Sequence, residues 1–179
     1  HGSCGKTTLI EAMLYRSGMI PEPGTVERGN TMCDNDALEK EVGHSIRLAV
    51  AHIDTAMPNL TPVRIHVLDT PGYPDYIGQD LSALDAVKSV AAVIDATKGV
   101  DLFTQRMMDM AAERKLCRMI VVNKFDVPEA NLEELLAEMQ AIWGPGVLPI
   151  NLPTQNHVHV IDCFEREEGE SDIMSVADV

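Results

Sequence analysis

Basic charge is scarce in this sequence of 179 residues: 14 Lys and Arg stand against 28 Asp and Glu, a formal net charge of −14. A surface of that sign repels a nucleic-acid backbone and excludes a broad basic face for RNA or DNA. The densest acidic stretch, from Glu165 to Asp172, reads as a solvated loop. No apolar run approaches the roughly 20 residues of a membrane helix, and no signal-peptide pattern stands at the start. The chain is therefore expected to be soluble and cytoplasmic, with no membrane partner, its natural N-terminus lying upstream. A Cys-x-x-Cys pair is also missing, because Cys4, Cys33, Cys117 and Cys163 lie far apart. Their spacing argues against a zinc site or a disulfide framework and suits a reducing compartment. Repeats and low-complexity tracts are absent. What remains is an ordinary globular composition, 45% apolar, in a length that supports one domain with a sizeable core.

One further absence is local. A Walker A loop reads G-x-x-x-x-G-K-[ST], and here Gly5, Lys6 and Thr7 fill its last three places while positions 1–4 fill the variable ones. The first glycine and the strand before it would lie upstream of residue 1. Either this is an ordinary Gly-Lys-Thr helix start, or the chain is a piece of a larger protein. Beyond Gly5 the apolar residues Leu9, Ile10, Met13 and Leu14 recur on one helical face, and Ser17-Gly18 offers a stop. A helix beginning near Lys6 would offer its backbone N–H groups and positive dipole end to an anion. On that reading Ser3, Cys4, Gly5, Lys6, Thr7 and Thr8 are nucleotide contacts. Lys6 would reach the β- and γ-phosphates, and the Thr7 hydroxyl would ligate Mg²⁺. Cys4 reads as a small tolerated side chain in this loop and not as a nucleophile.

Along the chain, strands alternate with helices. A polar stretch from Pro21 to Gly43 has no clear period. Strand-like segments follow at 45–54 and 63–69, separated by the turn-prone MPNLTP. Then come a helix at 80–87, a strand at 89–96, a helix at 104–115, a strand at 117–123 and a helix at 130–143 ended by Gly144-Pro145-Gly146. VLPINL and HVHVID read as further strands. The runs AAVI and MIVV fit strands buried on both faces, the habit of parallel sheets covered by helices. The expected fold class is α/β, doubly wound, a mostly parallel sheet with helices on both faces. Met107, Met108 and Met110 read as packing residues and not as a binding surface.

Two strand ends carry chemistry. VLDTPG closes an apolar strand with Asp69, which suits a Walker B carboxylate holding Mg²⁺ directly or through a water, and the turn at Gly72 could bring a backbone N–H to a γ-phosphate. Asp-Thr-Pro-Gly equally makes a plain strand-end turn. VVNKFD ends another strand. A carboxylate at Asp126 can accept from guanine N1–H and the exocyclic amine, a donor pair that adenine lacks. Lys124 can lie along the base, and Asn123 can tie this loop to the phosphate loop. Alone, Asn-Lys-x-Asp means little. Its weight comes from the order: a phosphate loop, about sixty residues, Asp-Thr-Pro-Gly, about fifty more, then Asn-Lys-x-Asp, the later two at strand ends where doubly wound sheets bind ligands.

GKTT, DTPG and NKFD together resemble the GTPase domain of the translational factors, specifically elongation factor G, over nearly the whole length. The resemblance implies a P-loop GTPase fold with GTP or GDP as ligand, Mg²⁺ as cofactor and the ribosome as partner of a longer protein. It also implies a chain cut at both ends, lacking the first strand and the C-terminal part of the domain. Residues 1–146 would be the GTP-binding core and 147–179 the start of an inserted subdomain. Two departures stand out. The family carries a catalytic histidine after Asp-Thr-Pro-Gly, where this sequence has Tyr73, as in the divergent elongation-factor-G-like subgroup. A tyrosine can bond a water but does not reproduce the imidazole's proton affinity, so slow hydrolysis is expected. Packing is the other reading of Tyr73. In the first switch the family's Arg-Gly-Ile-Thr becomes Val42-Gly43-His44-Ser45; Ser45 keeps a metal-binding hydroxyl, the cation is lost, and His44 reads as an incidental loop residue. Rival readings are a switch that holds GTP without turnover, a release-factor or ribosomal-protection GTPase, and a structural domain that binds no nucleotide.

Overall fold

The computed structural model describes residues 2–33, 39, 45–55, 61–154, 160–165, 171 and 173–174. Val42, Gly43 and His44, the turn at 57–60 and most of the acidic 165–172 stretch lie outside the described residues.

Helix α1 spans Lys6–Arg16, as the apolar spacing predicts. Ile10 and Leu14 are buried, Leu9 is half-buried and Met13 is exposed, so the buried face is narrower than the sequence suggested. The helix stops where Gly18 turns left-handed at φ 75, and Met19 N–H bonds back to Leu14 O at 2.9 Å. Strand β1, Ala49–Thr55, pairs antiparallel with β2, Val63–Asp69. The register sets Ala49 opposite Asp69 and Thr55 opposite Val63. Arg64 and Asp54 face each other across the pair, the guanidinium donating to both carboxylate oxygens at 2.6 and 2.7 Å.

A 3-10 turn at Pro74–Tyr76 leads into α2, Ile77–Ala86, three residues earlier than the sequence suggested. Strand β3, Ser89–Asp95, pairs with β4, Cys117–Asn123. Cys117 N–H bonds Lys88 O at the start of both strands and Ala96 N–H bonds Asn123 O at their end, so they run in the same direction. Helix α3, Leu102–Glu113, lies between them in the chain and starts at Asp101, whose carboxylate accepts from Thr104 N–H at 2.6 Å. Met108 on α3 is buried, as a packing role requires. Helix α4, Leu132–Trp143, has a reciprocal cap: Asn131 Oδ1 accepts from Glu134 N–H and Asn131 Nδ2 donates to Glu134 Oε2. Strands β5, Asn151–Pro153, and β6, Val160–Asp162, form a short antiparallel pair.

The chain divides into two compact units, 1–93 with 108–119, and 94–107 with 120–179. In the first, Ile10 and Leu14 of α1 pack with Cys33, Ala51 and Ile53, and Ala49 and Val67 close the cluster. Glu11, 1% exposed on the same helix, accepts from Gly24 N–H at 2.8 Å and from Met32 N–H, binding the following loop to α1. In the second unit Ile94, Ala96 and Val100 pack with Leu135, Leu136 and Met139 of α4.

The same-direction pairing expected of the fold is joined by antiparallel hairpins, and the expectation of strand burial is corrected in part. The described pairings include the antiparallel hairpins β1–β2 and β5–β6 beside the single same-direction pair β3–β4. Burial on both faces holds only in part: Val93 and Ile94 are buried, but Ser89, Ala91, Cys117, Arg118 and Met119 are exposed. An apolar run records what a strand is able to bury, whereas neighbouring elements decide what it does bury.

Candidate functional site

In the first unit, Gly5 takes φ 91, a left-handed value open to glycine, and caps the start of α1. The first helical bond runs from Leu9 N–H to Gly5 O, so Lys6, Thr7 and Thr8 head the ladder, and the first turn carries no acidic side chain. Ser3 also sits in left-handed backbone, at φ 56. Cys4 is fully buried, as a small packing residue should be.

The three residues predicted to hold metal come together. Thr7 Oγ1 donates to Asp69 Oδ2 at 2.7 Å, and Ser45 Oγ lies 3.3 Å from the same hydroxyl. The hairpin register explains this: with Ala49 opposite Asp69, the residues entering β1 run beside the exit of β2, where Asp69 is 2% exposed. Two residues that the sequence reading missed fix the approach to Ser45. Glu39 Oε1 accepts from Ile46 N–H at 2.8 Å and from Arg47 N–H at 2.9 Å. Gln79, from α2, donates to Ile46 O at 2.9 Å and accepts from Leu48 N–H. A glutamate in an aperiodic stretch of sequence and a glutamine in the first turn of a helix give no sequence signal for such a clamp.

Beyond Asp69 the chain passes the buried Gly72, at φ 74, and reaches Tyr73, whose hydroxyl lies 3.1 Å from Ser3 Oγ. Asp80 of α2 is buried, and burial raises its pKa, against the lowering effects of a Thr70 hydrogen bond and the Lys6 charge. Its Oδ2 has no hydrogen-bond partner among the described residues.

In the second unit, Asn123 ends β4 and Lys124 follows in left-handed backbone at φ 58. The Lys124 ammonium donates to Asp95 Oδ2 at 2.8 Å. Thr97 gives Asp95 Oδ1 two more donors, its N–H at 3.1 Å and its hydroxyl at 2.7 Å. Burial acts to raise the Asp95 carboxyl, but the bonds from Lys124 and Thr97 prevail and hold it at about 2. Asp126 is exposed. Sequence reasoning placed Lys124 and overlooked Asp95, although an aspartate at the end of an apolar strand was the signal available. Among the described residues no helix is long and apolar enough to cross a membrane, and no group of three His, Cys, Asp or Glu is placed to hold a metal.

Residues 1–174 match the elongation factor Tu GTP binding domain. The chain belongs to that family. Its fold is the P-loop GTPase α/β fold. This GTP-binding domain is 36% identical over 150 residues to an elongation factor G-like protein of Mycobacterium tuberculosis, covering 84% of the chain and 20% of that protein. It is 29% identical over 175 residues to tetracycline resistance protein TetO of Streptococcus mutans, covering 97% and 27%. Ribosome-releasing factor 2, mitochondrial, of Drosophila grimshawi is 37% identical over 139 residues, covering 78% and 18%. A crystal structure from Thermus thermophilus superposes with a TM-score of 0.82 at 34% identity, covering 92% of this chain and 24% of that one. The chain thus spans about a fifth to a quarter of the length of these relatives.

Proposed function

We propose that the chain binds GTP with Mg²⁺ and hydrolyses it, as the nucleotide-binding part of an elongation-factor-G-like translation factor acting on the ribosome. The observation that carries this reading is the meeting of Thr7, Ser45 and Asp69, residues 38 and 62 positions apart, at distances of 3.3 and 2.7 Å. Two hydroxyls and one carboxylate are hard oxygen donors and fit Mg²⁺, which keeps waters and phosphate oxygens as its other ligands. When bound, the ion neutralises charge on the β- and γ-phosphates.

The protein's own groups do the rest. Lys6 and the backbone N–H groups from Cys4 to Thr8 hold the phosphates in line and stabilise the charge that develops as water attacks. Ser3 lines the loop, and the Gly72 N–H meets the γ-phosphate. Asn123 ties the base loop, Lys124 lies along the base with its amine steadied by Asp95, and Asp126 selects guanine. Left-handed backbone supports these assignments: of the three non-glycine residues at positive φ among the described residues, Ser3, Lys115 and Lys124, two fall in the assigned loops. Loss of the γ-phosphate frees the segments bearing Ser45 and Gly72. Residues 1–146 serve as the core and 147–179 as the start of an inserted subdomain. Hydrolysis is slow, because Tyr73 offers a hydrogen bond without the basicity of a histidine. The partner surface lies outside this acidic, cytoplasmic domain, which presents no broad nucleic-acid face.

Calorimetry with GTP, GDP and ATP, with and without Mg²⁺, tests the reading. Guanine nucleotides should bind and ATP should not, and Asp126→Asn should erase the difference; equal affinity for GDP and ATP removes the assignment. Tyr73 also favours a second reading, a switch that holds GTP without turnover. Ribosome-stimulated phosphate release by the protein at its full encoded length separates the two, since tight binding without release selects the switch.

A further inference from the structure

Tyr73 is held from both ends. On the backbone side, Gly72 turns left-handed at φ 74 and Pro74 starts the 3-10 turn, with Tyr76 N–H bonding Tyr73 O at 3.0 Å. On the ring side lies the phosphate loop. A Cβ at Gly2 would come within 2.6 Å of Tyr73 Cε1 and 2.7 Å of Cζ, where nonbonded carbons settle at about 3.5–4.0 Å. The ring therefore occupies the space that any side chain at position 2 would need. The next residue, Ser3, adopts φ 56, a left-handed conformation that disfavours a residue with a Cβ. In that conformation its Oγ lies 3.1 Å from the Tyr73 hydroxyl. Two segments 70 positions apart in sequence thus match in size and in hydrogen bonding.

We propose that Gly2 and Ser3 are positioning residues for Tyr73: Gly2 makes room for the ring, Ser3 anchors its tip, and together they hold the phenol hydroxyl at the phosphate loop. This rests on the nucleotide reading above and gives Tyr73 a defined task. A phenol hydroxyl both donates and accepts, so a hydroxyl fixed at that place orients a water or a γ-phosphate oxygen by geometry. The tyrosine and the glycine form one unit, and changing either alone leaves a ring without a seat or a seat without a ring. Packing alone would demand the ring but not the hydroxyl or the Ser3 bond.

The test uses the protein at its full encoded length, with single-turnover GTP hydrolysis on ribosomes and GDP affinity measured side by side. Tyr73→Phe, Ser3→Ala and Gly2→Ala should each slow hydrolysis by about 10- to 100-fold, the scale of a misplaced reacting group, and Tyr73→Phe should leave GDP affinity unchanged. The double variant Gly2→Ala/Tyr73→Phe should be no slower than Tyr73→Phe, because both act through one hydroxyl. Hydrolysis at the wild-type rate in Gly2→Ala and Ser3→Ala overturns the proposal, and so does a double variant slowed by the product of the single effects. Should Gly2→Ala fail to fold, Ser3→Ala and Tyr73→Phe decide. A wild-type protein that binds no GTP fails earlier and differently, taking the nucleotide reading with it, whereas normal wild-type turnover with indifferent variants removes the seat alone.

Discussion

Asp95 and Lys124 show what a single carboxylate contributes in this molecule. Asp95 has a folded pKa held down to about 2 from 3.8, so the stability it lends is complete above the unfolded value and is lost as pH falls through 2. Asp95→Asn should flatten the acid limb of a stability–pH curve between about pH 4 and pH 2, and at pH 7 should cost about 1.5–3 kcal/mol, the scale of charge-assisted hydrogen bonds. Chemical denaturation across that range measures both. Asp80 behaves oppositely. Burial raises its pKa, so no penalty exists below the unfolded value and one accrues as pH climbs through the folded value. Asp80→Asn should therefore raise the melting temperature at pH 8 more than it does below the ordinary carboxyl value of 3.8. Asp69 was expected at the end of an apolar strand and ends β2, because the strand and turn signals agree there. Glu39, Gln79 and Asp80 were not, because their roles come from which backbone groups the fold brings to them.

At the scale of elements, α1 joins the phosphate loop to the hydrophobic cluster of the first unit. Ile10 and Leu14 bury the helix, and Glu11 binds the next loop through Gly24 and Met32. Glu11→Ala would leave two backbone donors without their acceptor, at a cost of about 2–5 kcal/mol in total. Faster hydrogen exchange at the Gly24 and Met32 amides, with α1 itself protected, would report local loosening of this loop. The helices were readable because apolar spacing and stop signals agree within each segment, as at Gly144 after α4, whereas the cap at Asn131 comes only with the structure. Strand burial was not, since Ala91 and Met119 belong to apolar runs and yet are exposed. Strand direction was also out of reach: the β1–β2 segments read as two strands, but only their pairing makes them a hairpin.

For the whole molecule, ligand binding is the lever on stability. A ligand at 100 times its dissociation constant adds about 2.7 kcal/mol. GDP with Mg²⁺ at that excess should raise the melting temperature by several degrees, ATP should leave it unchanged, and chelating Mg²⁺ should reduce the GDP effect. A thermal shift of equal size with ATP would contradict the role given to Asp126. The hairpin register has a related consequence. Ser45 and Asp69 keep company with Thr7 because β1 and β2 are counted off residue for residue from Ala49–Asp69 to Thr55–Val63. Removing one residue from either strand would turn Asp69 to the opposite side of the sheet, while removing a facing pair would shorten the ribbon and leave its corner intact. The hairpin works as a ruler, and its length is freer to vary than its parity.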